Sequence, residues 1–230
     1  MSAPAQSDPL PKALTVVTAV TGIVDAVAFL GLGQVFTAFM TGNILFLGFA
    51  VAGGEGLTPM GSLTALAGFV GGVVAGSRLG AATAARLRRW LLTSAVIASA
   101  LLVAAALAAI GLRSVTGHLV ARHYVVIALT ALAIGVRSAT MWRLGAVLNT
   151  TLVTGTLVTW IRHSAVGGGT PDAAQPYRVA GLVAVFTGAV LGTLLLKVSL
   201  TAALLVAAAG VLAAIGAYVA HPASRRAPGA

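Results

Sequence analysis

The chain has 230 residues, of which 59% are hydrophobic and only 8% charged, with a mean hydropathy of +1.03. A soluble domain carries about 25% charged residues, so this one cannot clothe a water-facing surface and its solvent is a lipid bilayer. The net charge of +10 would suggest nucleic acid in a soluble protein, but the bases are scattered at segment ends with no basic face and no interleaved aromatics. That pattern excludes nucleic acid as partner and fits anchoring at a membrane surface.

Residues 1–12 are polar and read as a disordered tail. They do not read as part of a signal peptide, because Asp25 falls in the candidate apolar region and no cleavage motif follows. Apolar segments then run at 13–30, 36–53, 61–82, 91–112, 123–142, 145–161, 179–197 and 199–219, several of them close to the ~20 residues that cross a bilayer as a helix. Residues 221–230, "HPASRRAPGA", read as a basic tail.

The first segment holds Asp25, the only acid inside a predicted span; the other three are Asp8, Glu55 and Asp172. An ionisable group at that depth is costly, and it is either functional or paired. Arg137 and Arg78 are the candidate partners. Asp25 either takes up a proton or coordinates a cation during transport, as a coupling or gating charge, or it forms a structural ion pair.

"GLGQ", residues 31–34, interrupts the next stretch, since Gly31 and Gly33 give a helix little support. After it, "AFMTGNILFLGF", residues 38–49, sets Thr41, Gly42 and Asn43 in an apolar run. In the third segment Gly68, Gly72, Gly76 and Gly80 recur every four residues and share one helix face. A second helix can pack closely there.

The second half repeats the first at an offset of 113 residues. Gly22 matches Gly135, Ala26 matches Ala139, Thr37 matches Thr150, and Thr41-Gly42 matches Thr154-Gly155. "RLGAVLN", residues 143–149, takes the place of the first break. An internal repeat of this kind frames every other inference about the fold.

Charge decides the number of crossings. If residues 13–53 and 123–161 each make one net crossing, Lys12, Arg86, Arg88, Arg89, Arg162, Arg178, Arg225 and Arg226 fall on one side. Glu55, Arg113 and Arg122 then fall on the other, with Lys197 near that surface. The positive-inside bias makes the first side cytoplasmic. The expectation is an all-α polytopic membrane protein of about six net crossings, with six to eight helices counting broken or re-entrant pieces. Its repeats, 13–112 and 123–220, have three crossings each and are inverted relative to one another, as in many secondary transporters.

An interrupted helix leaves unpaired amides and carbonyls, tolerable at membrane depth only against protein or a wet cavity. Thr37, Thr41, Gly42 and Asn43, with Thr150, Thr151, Thr154, Gly155 and Thr156, either line a solute site or only glue helices together. Two half-helix N-termini facing each other would favour an anion or a dipolar group. No cofactor or metal is expected: cysteine is absent and His118, His123, His163 and His221 lie at segment ends or in a tail. No nucleophile–base set or phosphate-binding loop is present, so an enzyme is not expected.

"TGIVDAVAFLGLGQVFTAFMTGNILFLGF" resembles the YoaK-like family of bacterial integral membrane proteins, a domain of unknown function. The resemblance rests on Gly22, Asp25, Ala26, Thr41, Gly42 and Asn43 in the first half and on Gly135, Ala139, Thr151, Thr154, Gly155 and Thr156 in the second. It departs at Arg137 and Ser138, where the family carries a Gln-Asn pair. It implies a bacterial inner-membrane protein of about six spans and supplies no substrate. The residues lead to a small-solute transporter, its solute an anion on the half-helix argument, with both termini cytoplasmic. The alternative is a membrane scaffold or signalling partner that associates, with itself or another protein, through the glycine-lined helix.

Overall fold

A computed structural model describes residues 9–83, 87–143, 153–170 and 174–225. Eight α-helices follow in order: α1 (Leu10–Gly31), α2 (Met40–Val51), α3 (Pro59–Thr83), α4 (Leu87–Ala108), α5 (Ala121–Arg143), α6 (Val153–Arg162), α7 (Gln175–Val198) and α8 (Leu200–Ala220). Six of them are long and apolar enough to cross a membrane. Of the other two, α2 with 12 residues extends only ~18 Å, short of the ~30 Å hydrocarbon core, and α6 has 10 described residues. The fold is an all-α, multi-pass membrane architecture.

The described helical residues extend into both expected tails, at 10–12 and 222–225. α1 begins at Leu10 because Pro9 sits at its N-cap and Pro11 in its first turn, where a missing N–H costs nothing. At the other end Pro222–Arg225 form a 3₁₀ turn. The Ser224 hydroxyl donates there to the Val219 carbonyl at 3.0 Å, and the Arg88 guanidinium donates to the same carbonyl.

Close contacts give the direction of every long helix. A methyl built on Gly68 would lie 2.8 Å from the Ala128 carbonyl, one on Gly76 2.6 Å from that of Val136, and one on Gly72 would strike that of Leu132. Steps of four on α3 thus match steps of four on α5 in the same sense, so these helices run parallel. α1 and α7 do the same, with Gly188 against the Ala19 carbonyl and Gly192 against that of Ile23. Gly80, at the end of the stripe, is also buried.

The remaining pairs are antiparallel. Arg88 reaches Val219 while Ser99 donates to Ala208 at 3.0 Å, across α4 and α8. Ser94 shares a 2.7 Å hydrogen bond with Thr140 while Arg122 donates to Ala108 at 2.8 Å, across α4 and α5. Val20 lies against Gly210 and Leu200 against Gly31, across α1 and α8. Hence α1, α4 and α7 run one way and α3, α5 and α8 the other, and the chain enters and leaves the bundle on one side. The core between them is aliphatic, built around Val17, Leu102, Ile127 and Leu204. Side chains such as Phe186 and Val183 point outward, as lipid-facing residues do.

Candidate functional site

Asp25 lies on α1 six residues before its end at Gly31. The chain then breaks where the sequence indicates: Gly33 has φ +83° and Gln34 φ +60°. The freed backbone is paired at once. Gly33 N–H donates to the Val115 carbonyl at 2.8 Å, Val115 N–H to Gly31 at 3.1 Å, and the Thr58 hydroxyl to the Gly33 carbonyl. This is the condition under which irregular backbone survives at membrane depth.

Beyond the break the chain doubles back along α1. The Thr37 and Ala38 amides donate to Asp25 Oδ1 at 2.8 and 2.9 Å, and the Thr37 hydroxyl does so at 3.2 Å. Asp25 is ~9 Å short of the α1 terminus, so residues 32–38 form a descending limb and α2 the returning one. The segment is re-entrant.

Asn43 holds the turn together. Its Oδ1 accepts the Phe36 amide at 3.0 Å and its Nδ2 donates to the Phe36 carbonyl at 2.7 Å. An amide side chain here replaces a missing stretch of ladder: it offers one donor and one acceptor, as a peptide does. Asn43 is fully buried and faces the break, not a solute. Gly42 makes room for aromatic rings, since a methyl on it would sit 2.7 Å from the ring of Phe36 and 2.8 Å from that of Phe39. Phe36 stacks on Phe29 with centroids 5.0 Å apart and meets Phe39 edge-on at 5.3 Å. Asn43→Ala leaves both Phe36 backbone groups unpaired, at about 1–3 kcal/mol each. A melting temperature in detergent lowered by several degrees checks this.

A cavity of about 690 Å³ opens beside Asp25. Its wall takes Met40 and Thr41 from the first turn of α2 and Val153 and Thr154, the first described residues of α6, with Thr21 on α1 and Thr193 on α7. Of the residues singled out in the sequence, Asp25, Thr41 and Thr154 meet on this wall, whereas Thr37, Gly42 and Asn43 build the turn behind it. Gly155 and Thr156 lie further along α6, and Thr150 and Thr151 fall outside the described residues. Composition and spacing gave no sign of four phenylalanines on the same wall, Phe29, Phe36, Phe39 and Phe69. Their scatter over three elements hides them from any periodicity.

The proposed charge partners are placed differently. Arg137 donates to the Val17 carbonyl at 3.0 Å and to the Thr21 hydroxyl at 2.6 Å, and no ion pair joins it to Asp25. Because α5 is antiparallel to α1, residue 137 falls opposite 17–21, one turn short of Asp25, and lines a separate narrow void. Arg78 is exposed near the far end of α3. It lies ~28 Å along a helix that starts at the level where α1 ends, too far to serve Asp25.

A second cavity, of about 590 Å³, lies between α3 and α5. Ser138, Ala139 and Trp142 line it, 113 residues beyond Asp25, Ala26 and Phe29 of the first. The buried Ser138 hydroxyl has no hydrogen-bond partner.

Residues 13–218 match the family described as "Protein of unknown function (DUF1275)". The chain is 34% identical over 145 residues, 63% of its own length, to the UPF0700 transmembrane protein YoaK of Bacillus subtilis (strain 168). The matched region spans 62% of that relative's length. No solved structure matches significantly. With the family model covering nearly the whole span of α1 to α8, the chain belongs to the DUF1275 family and is a YoaK-like, multi-pass membrane protein.

Proposed function

We propose that this protein is a small-solute transporter or permease, a carrier and not an enzyme, whose site is the cavity beside Asp25. The observation that carries the reading is that a single cavity takes its wall from the first turn of α2, from the first described residues of α6, and from an acid within the span. Broken helices that meet near the midplane are where secondary transporters bind. We read residues 13–112 and 123–220 as inverted repeats. In support, each long helix runs opposite to its counterpart 113 residues on, and α1 pairs with α7 as α5 pairs with α3. The twin cavities at Asp25 and Ser138 fit the same two-fold relation. The protein then sits in the bacterial inner membrane with its basic, terminus-bearing side cytoplasmic.

The scaffold alternative loses its surface, because α5 already covers Gly68, Gly72 and Gly76. The cysteine-free sequence offers a direct test. Thr41→Cys and Thr154→Cys are expected to react with a water-soluble, membrane-impermeant thiol reagent, and Ser99→Cys, buried between α4 and α8, is not. Uptake into proteoliposomes across a panel of small ions and neutral solutes is expected to find a solute whose flux Thr154→Trp blocks. Silence across the panel together with unreactive thiols at 41 and 154 removes the reading.

A further inference from the structure

We infer that the cavity beside Asp25 takes an organic monocation with an apolar body, a protonated amine or an onium ion, and not an anion. The assignment rests on the transporter reading for its physiological meaning and on the cavity's chemistry for its content.

Charge comes first. Among the described residues lining the cavity Asp25 alone carries an ionisable side chain. The helix-end argument for an anion loses force at α2, because the amides leading into that helix, those of Thr37 and Ala38, already donate to Asp25. The protein has supplied its own anion there. Arg137 is the other charge close by, but its guanidinium is tied to Val17 and Thr21 and lines the separate void beyond them. What the described wall offers a solute is therefore a carboxyl group and no cationic side chain.

The walls say what else the solute carries. Phe29, Phe36, Phe39 and Phe69 line the same cavity as Asp25, together with Leu30, Met40, Val153 and Val185. Aromatic faces attract cations through their quadrupole and are the usual cage for onium groups. They repel anions for the same reason. A small inorganic cation would need several oxygen ligands at short range, whereas the lining oxygens here are spread over Thr21, Thr41, Thr154 and Thr193 on four helices. A weakly hydrated, bulky cation needs only the single countercharge and the apolar surface. The cavity's volume of about 690 Å³ lies in the range of sites for small organic ligands.

Tetraphenylphosphonium and tetraphenylborate have one shape and opposite charge, so equilibrium binding of each to the purified full-length protein in detergent tests the sign directly. Saturable binding of the phosphonium ion and not the borate is expected. Asp25→Asn keeps an oxygen acceptor for Thr37 and Ala38, so it should fold and melt near the parent while its phosphonium binding weakens at least about tenfold. Phe69→Leu keeps the apolar volume and removes the π face, and several-fold weaker binding is expected. Borate bound as well as phosphonium, or phosphonium binding indifferent to Asp25→Asn, overturns the assignment. Binding as expected with no uptake in proteoliposomes leaves the cation site standing and removes the transport reading. Flux of an anion blocked by Thr154→Trp, without phosphonium binding, does the reverse.

Discussion

Asp25→Ala is expected to destabilise the fold by about 3 kcal/mol or more, and Asp25→Asn by much less. The alanine strands the Thr37 and Ala38 amides and the Thr37 hydroxyl, and each buried donor left unpaired costs about 1–3 kcal/mol. At a shift of about 2–4 °C per kcal/mol for a chain of this size, the melting temperature in detergent should fall by roughly 6–12 °C. Asparagine retains the accepting oxygen, so its melting temperature should stay within a few degrees of the parent. On the proposed transporter reading, flux should be lost in both, because both lose the ionisable group. Asparagine is the informative variant. A protein carrying it that folds and still moves solute at the parental rate would reduce Asp25 to a turn cap.

Gly188→Ala and Gly72→Ala are expected to be severely damaging single-carbon additions, because each lies against the backbone of a neighbouring helix. The new methyl would collide with the Ala19 carbonyl in one case and the Leu132 carbonyl in the other. Backbone cannot rotate away as a side chain does, so the helices must separate and give up the close packing along the whole seam. Overpacking ordinarily costs about 1–3 kcal/mol, and a clash with a neighbouring helix backbone belongs at or above the top of that range. Gly48→Ala is the control, since nothing lies within 4 Å of its added methyl; replacing a mid-helix glycine there should stabilise by about 0.5–1 kcal/mol. Melting curves and the fraction of monodisperse protein on gel filtration report both effects. A Gly188→Ala protein that melts with the parent would mean the α1–α7 seam is looser than described.

Much of the fold was legible because lipid imposes its rule locally. Any span must be a long apolar helix, so the six spans could be counted from hydropathy and from the sidedness of Lys12, Arg88, Arg113 and Arg122. The break at Gly31–Gln34 announced itself through residues that a helix tolerates poorly, and Gly68, Gly72 and Gly76 marked a helix contact by their spacing. The partner along that stripe was not legible. Spacing says that something approaches closely, not that it is α5 running in the same direction.

The site divided along the same line. Asp25 stood out because an acid within a span has few explanations, and Thr41 and Thr154 because they recur at one offset. Asn43 looked like a ligand because it is polar within an apolar run, and it pairs with Phe36, seven residues earlier. A polar side chain inside an apolar run shows that something needs satisfying there, and the sequence does not distinguish a solute from the chain's own backbone. Arg137 suggested itself as a partner of Asp25 by its place next to the repeat mate Ser138, and Arg78 as a base in a span; only the helix directions reveal that one falls a turn short and the other near the opposite end of α3.

By itself the sequence determined the solvent, the number of crossings, the position of the first break and the family, since each follows from local composition or order along the chain. The tertiary structure decided which polar groups meet. It joined α2 and α6 in one cavity, turned Asn43 inward, and brought phenylalanines from separate elements to the cavity that Asp25 lines. Those outcomes depend on helix direction and register, which arise from packing between segments a hundred residues apart and leave no trace in any one of them.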